Sequence, residues 1–206
     1  MARMRSLVAP AAFLLLAACG AALGSDKPKT SGGTQSGCLT RAYPEIGGPI
    51  SLINQDGERV TEVTFKGHPT LIYFGYTFCP DVCPSTLVTV KRAYDRLPDG
   101  VTPPQTLLIS VDPDRDTPDA LKKYVSNKAF PANLQGLTGS QEEVRAAADS
   151  FLADYSRIDE PDSQAGYAMD HTSLLYLMDE DWKLKTFFTY DDTDESISSC
   201  LAELLK

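Results

Sequence analysis

Histidine is scarce in this sequence: His68 and His171 are the only two in 206 residues. Imidazole can therefore supply at most two ligands to any metal site. Basic side chains are also in deficit, with 19 Lys and Arg against 28 Asp and Glu and a net charge of −9. A surface of that sign repels nucleic acid and anionic lipid headgroups, which excludes binding to either through a basic face. No apolar run is long enough to span a bilayer. The longest, "LVAPAAFLLLAA" from Leu7 to Ala18, falls short of the ~20 residues a spanning helix needs. No segment repeats. Tryptophan occurs once, as Trp182, and reads, like the Tyr and Phe residues, as a core or rim position.

The apolar run has its own meaning. Arg3 and Arg5 precede it, and its length is that of a signal-peptide core. It ends in "LLAAC", which resembles a bacterial lipobox, in which the cysteine, here Cys19, is lipidated and becomes the new first residue. An ordinary cleaved signal peptide and an uncleaved N-terminal helix are the alternatives. All three imply export. The sequence thus divides into a signal peptide (1–18), a lipid-anchored flexible tether (19–38) and a folded domain (39–206). The tether composition, "GAALGSDKPKTSGGTQSG", is small, polar and aperiodic. Membrane attachment is expected through the anchor and not through surface charge.

Export governs the reading of the five cysteines. With Cys19 assigned to lipid, Cys79 and Cys83 form a close pair, and Cys38 and Cys200 remain. An oxidising compartment and the proximity of domain termini allow these two to form a disulfide. The alternative is that Cys200 packs as a small apolar residue beside Ile197, Leu201 and Leu204.

The domain reads as a mixed α/β fold. "ISLINQDGERVTEVTF" has the pattern of a β-hairpin turning at Asp56-Gly57. "TLIYFGY" (70–76) and "QTLLISV" (105–111) are nearly continuous apolar runs, the mark of strands buried on both faces. Helical spacing follows each, in Leu87, Val90, Tyr94 and Leu97 and then in "TPDALKKYVSNKAF", which Thr117 caps. Ser140 and Glu143 form a capping box at the head of "SQEEVRAAADSFLADYS", read as helical to its end. "HTSLLYLMDEDWKLKTFF" reads as a hairpin that His171 opens, and a last helix covers about 194–206. The expected architecture is a three-layer α/β sandwich of the thioredoxin-like type, with a mixed central sheet and an N-terminal β-hairpin.

"FGYTFCPDVCPS" sits where the first buried strand becomes a helix. Pro80 and Pro84 lack an N–H and suit a loop and a first helical turn. Cys79 and Cys83 can present both sulfurs in one direction, close to helix N-terminal amides that favour thiolates. Two thiolates can close to a disulfide or hold a soft ion. His68, in the polar turn "KGHPT", reads as an exposed loop residue. His171 lies at a junction with a strand, where it is either a structural residue or a third ligand; a Cys₂His set suits Cu(I), whereas structural zinc takes four ligands. "VDPDRDTPD" places Asp112, Asp114 and Asp116 at calcium-loop positions, but Thr117 stands where glycine is needed and Lys123 where glutamate is needed, so the calcium reading fails.

"FGYTFCPDVCPSTL", "ISVDPDRDTPDAL" and "DHTSLLYLMD", in that order, resemble the Sco/SenC family of copper-binding, thioredoxin-like proteins. The resemblance runs from about Gly47 to the C-terminus. It implies that Cys79, Cys83 and His171 bind one copper ion per chain, as Cu(I) or Cu(II). Asp170 is at most an outer contact. It also implies delivery of copper to the dinuclear centre of cytochrome c oxidase subunit II, in the periplasm. Other periplasmic copper chaperones or thioredoxin-like reductants are expected as further partners. The alternative use of the same cysteines is as a redox-active pair that keeps the oxidase cysteines reduced. "AMDHTS" has His171 and no proline, unlike the corresponding segment of general thiol-disulfide oxidoreductases, and favours metal binding. A lipobox and the additional Cys38 and Cys200 depart from the family pattern.

Overall fold

The computed structural model describes Cys38 and residues 43–206. The expected signal peptide (1–18), Cys19 and the rest of the tether before Cys38 lie outside the described residues. Among the described residues, no helix is long and apolar enough to cross a membrane.

The first strands, β1 (Ser51–Asn54) and β2 (Arg59–Thr61), pair antiparallel with Leu52 opposite Val60. Gly57 in their turn adopts φ 82°, a conformation costly for other residues. The hairpin is shorter than its sequence pattern suggests. Its second arm stops at Thr61, and Glu62–Phe65 winds into a single helical turn, α1, that buries Phe65.

Next comes β3 (Thr70–Gly75), with all six residues buried. A strand without an exposed residue needs cover on both faces, and this is the origin of the three layers. It is followed by α2 (Val82–Asp95), β4 (Gln105–Ser110), α3 (Pro118–Val125), β5 (Leu134–Thr138) and α4 (Gln141–Ser150). Thr117 caps α3, accepting the Ala120 N–H at 3.3 Å. Ser140 and Glu143 close the expected capping box on α4, at 3.1 and 2.8 Å.

Two departures from the sequence reading lie here. The strand β5, "LQGLT", is too short and too little alternating to stand out by periodicity. The helix read to run through Tyr155 ends at Ser150 instead. Leu152 takes a left-handed φ of 51°, and the Ala153 N–H returns to the Ala148 carbonyl at 3.0 Å. That stop puts Phe151 and Ala153 in the core and leaves Leu152 exposed.

The chain then forms a separate two-stranded sheet, β6 (Tyr155–Asp159) with β7 (Tyr167–His171). It returns to the main sheet with β8 (Leu174–Met178) and β9 (Leu184–Thr189), and closes with α5 (Asp194–Leu204). His171 therefore ends β7 and does not open β8. The seven-stranded sheet has the order β2-β1-β5-β4-β3-β8-β9. β3, β4 and β5 are mutually parallel, while β1, β8 and β9 pair antiparallel. This is the expected thioredoxin-like sandwich with a mixed sheet. Phe74, Phe151 and Tyr176 pack at its centre, with ring centroids 5.4–6.1 Å apart.

A disulfide joins Cys38 to Cys200, with Cα atoms 4.7 Å apart and a sequence separation of 162. Cys200 lies on the buried side of α5 with Ile197 and Leu201. Closing so long a loop restricts the unfolded chain strongly. Replacing both cysteines by alanine is expected to lower the unfolding free energy by about 2–5 kcal/mol, measured by urea denaturation. An unchanged midpoint would show that the link adds nothing.

Candidate metal centre

The site is built at the carboxyl end of β3, at the edge of the buried sheet. After Gly75 the chain leaves the strand through Tyr76–Asp81 and enters α2 at Val82. The Cys79 N–H bonds the Tyr76 carbonyl at 3.3 Å, which turns the loop back on itself. Cys79 is half-buried in this loop, whereas Cys83, in the first turn of α2, is fully buried. The Cys83 N–H donates to the Cys79 sulfur at 3.3 Å. Gly75 leaves room for this arrangement. A Cβ there would stand 3.1 Å from the Cys83 sulfur and 3.0 Å from the Tyr73 ring.

The two thiols are unequal. Donation from Cys83, with help from His171 and from the backbone N–H groups of Cys83 and Asp81, lowers the Cys79 thiol to about 4 against the opposing effect of burial. Cys83 is pushed up, by its bond to Cys79 and by desolvation. The pair thus holds one proton, on the buried sulfur, with the charge on the accessible one.

β7 brings the third group. His171 Nε2 lies 3.5 Å from the Cys83 sulfur, and its Nδ1 lies 3.2 Å from the Thr172 carbonyl. A carbonyl only accepts, so Nδ1 carries a proton, and Nε2 is the ring nitrogen that faces the sulfurs. The rings of Tyr73 and Tyr76 stand edge-on to the imidazole, both at 6.0 Å. The Tyr73 hydroxyl donates to the Cys83 sulfur at 3.6 Å, and burial raises the Tyr73 pKa. Ligand atoms of Cys79, Cys83 and His171 all lie within 4.8 Å of one another. Three donors bonded to one ion at about 2.0–2.3 Å would stand roughly 3.5–4 Å apart, the same scale as these separations.

The structure brings these three residues together and leaves His68 out, exposed before the opposite end of β3. Asp170 is exposed, and the alternation of side chains along β7 turns it to the other face from His171. The acids of the 112–116 loop take different roles. Asp114 is exposed. Asp116 is buried and accepts the Thr77 N–H at 3.1 Å and the Ser110 hydroxyl at 2.7 Å; desolvation, the main influence, raises its pKa. It fixes the loop two residues before Cys79. Sequence reasoning assigned no function to Tyr73, Tyr76 or Asp116. The available signal was position: two tyrosines in the strand and turn leading to Cys79, and a polar motif after the neighbouring parallel strand.

A sequence model of the SCO1/SenC family matches residues 40–206. The mitochondrial SCO1 homolog 1 of Arabidopsis thaliana is 40% identical over 157 residues, covering 74% of this chain and 45% of that protein, so the match spans under half of that relative's length. A SCO2-like protein of Rickettsia prowazekii is 35% identical, with 74% of each chain covered. Among solved structures, Arabidopsis ScoI with copper bound has a TM-score of 0.72 at 38% identity, covering 77% of this chain and 96% of that one. Bradyrhizobium japonicum ScoI with copper bound has a TM-score of 0.68 at 39% identity, covering 78% and 99%. BsSco, a member of the Sco family of cytochrome c oxidase assembly proteins in which a disulfide switch was identified, has a TM-score of 0.61 at 28% identity, covering 81% and 97%. The family match over residues 40–206, together with these relatives, establishes that this chain belongs to the SCO1/SenC family.

Proposed function

We propose that this protein is a copper chaperone. In this reading Cys79, Cys83 and His171 bind one copper ion, as Cu(I) or Cu(II), and pass it to the dinuclear copper centre of cytochrome c oxidase subunit II. The observation that carries it is the convergence of two sulfurs and one imidazole nitrogen within 4.8 Å. Two thiolates and a neutral imidazole are a soft donor set of the kind copper prefers. The copper-bound relatives and the oxidase-assembly family of BsSco support the same reading. Incomplete coordination suits a carrier. With three protein ligands and Cys79 half-exposed, a recipient thiolate or imidazole can approach the cargo before the chaperone lets go.

Cargo loading is expected to take place in the periplasm, with residues 39–206 forming the working domain and 19–38 the tether, held by lipid on Cys19 or by an uncleaved N-terminal helix. Other periplasmic copper chaperones or thioredoxin-like reductants would supply the ion or keep the cysteines reduced. Mass spectrometry of the mature N-terminus tests the anchor.

A second reading has its own observation. Cys79 is an accessible thiolate with Cys83 directly behind it, the arrangement of an attacking and a resolving cysteine. The pair would then reduce the oxidase cysteines before copper arrives. The disulfide switch of BsSco is consistent with this.

Four expected outcomes follow from the site. Reduced protein titrated with Cu(I) should lose its site in Cys79→Ser and Cys83→Ser, and weaken by about tenfold or more in His171→Ala, since even outer contacts of a metal site are worth about that. Equal affinity across all of them would reject the assignment. Prior oxidation of the pair should block copper uptake entirely, and deletion of the protein should depress oxidase activity most at limiting copper. In the copper-free reduced protein, a Cys79 pKa of about 4 leaves the thiolate present above that pH and lost as pH falls through it. Alkylation of Cys79 should therefore be nearly flat through neutral pH and drop about tenfold per unit below pH ~4. A rate that rises steadily to pH ~9 would contradict the asymmetry of the pair.

A further inference from the structure

Arg115 stands in "VDPDRDTPD", the motif that the copper site leaves without a task. Its side chain is largely buried and touches three separate parts of the fold. On its own loop it is ion-paired with Asp112. On the cysteine side, its guanidinium lies 4.7 Å from the Phe78 ring centroid, next to Cys79, and 5.8 Å from that of Tyr76. On the histidine side, it stacks on Tyr167 at 3.6 Å and donates to the carbonyls of Tyr167 and Ala165 at 3.0 and 3.3 Å. The Tyr167 hydroxyl completes the ring of contacts by donating to Asp112 at 2.8 Å.

The histidine side needs such a fastening. β6 and β7 pair only with each other, and a two-stranded sheet is marginal without other support. Tyr167, Met169 and His171 alternate onto one face of β7, so the placement of the first governs the last. The middle residue is also tied, its N–H donating to the Tyr76 hydroxyl at 3.3 Å. On the other strand, Arg145 from α4 holds Tyr155, the cross-strand partner of His171, by the carbonyl at 2.8 Å and the ring at 3.6 Å. Arg145 keeps the hairpin on the domain. Arg115 alone of the two also touches the segment that carries Cys79.

We infer that Arg115 is a positioning residue for the metal centre: its guanidinium, held between Phe78 and Tyr167, sets the spacing between the cysteine pair and His171. It touches no ligand atom and acts through the two segments it joins. The planar guanidinium stacks on Tyr167 while its Nε meets Asp112 and one terminal nitrogen, Nη1, donates to both carbonyls. Lysine would keep the charge and lose the geometry.

This inference rests on Cys79, Cys83 and His171 being the copper ligands, and the test separates the two. Cu(I) affinity is measured for wild type, Arg115→Met, Arg115→Lys, His171→Ala and the Arg115→Met/His171→Ala double variant. The imidazole NMR signals of His171 are recorded in the metal-free proteins, and thermal unfolding checks each fold. Both Arg115 variants are expected to weaken copper by about tenfold to a hundredfold. They should also shift or broaden the His171 signals before any metal is added. Once Arg115 is gone, removing His171 should cost less than about twofold more, because its contribution has already been lost. If His171→Ala leaves wild-type affinity intact, the metal assignment itself falls, and this inference with it. If His171→Ala weakens binding by the same factor with and without Arg115, the metal assignment stands and the positioning role is overturned. Should Arg115→Met fail to fold, Tyr167→Leu removes the same stack with Arg115 left on Asp112, and the same coupling decides the matter.

Discussion

The Cys83 sulfur is packed against the end of a fully buried strand, and the rest of the centre is arranged around that burial. Its bond to Cys79, and then its burial, keep the proton on this sulfur, so the charge settles on Cys79, its more accessible neighbour. Room for it exists because β3 ends in glycine. Tyr73, one register step earlier on the same face, directs its hydroxyl at it, and His171 approaches from the other side. One buried atom thus decides which cysteine is reactive, which faces solvent and where the third donor must stand.

Much of this was legible in the sequence for a simple reason. β3 and β4 are buried on both faces, and a run such as "TLIYFG" states that without help from tertiary context. The capping residues Thr117 and Ser140 act within one turn of helix, so their local pattern is sufficient. The cysteine pair was visible because its spacing and prolines belong to a single loop. The family resemblance singles out His171 as a third donor; by its own neighbourhood a structural or surface role is the more usual reading.

What stayed hidden depends on contacts between distant segments. β5 is a strand because β4 and β1 flank it, and nothing in "LQGLT" announces that. The end of α4 was missed because the apolar pattern continues through Phe151, Leu152 and Tyr155, while the left-handed turn at Leu152 reassigns the later residues to a strand. With that end misplaced, the β6–β7 hairpin could not be seen, and His171 was put at the start of the wrong strand. Arg115 and Asp116 are ordinary polar loop residues by composition. Their partners lie 39 to 52 residues away, at Thr77 and Tyr167.

The Cys38–Cys200 disulfide gives the domain a mechanical character as well as a chain-entropic one. Tension arriving along the N-terminal chain meets a covalent junction at Cys38 before it reaches the β1–β2 edge of the sheet. It is handed to the middle of α5, on the side that packs into the core. The load path then enters through a helix braced against α2 and bypasses the sheet's peelable edge strand. A pull applied at Cys38 would in this way be borne by the last helix and would leave the junction of β3 with the loop that follows it undisturbed.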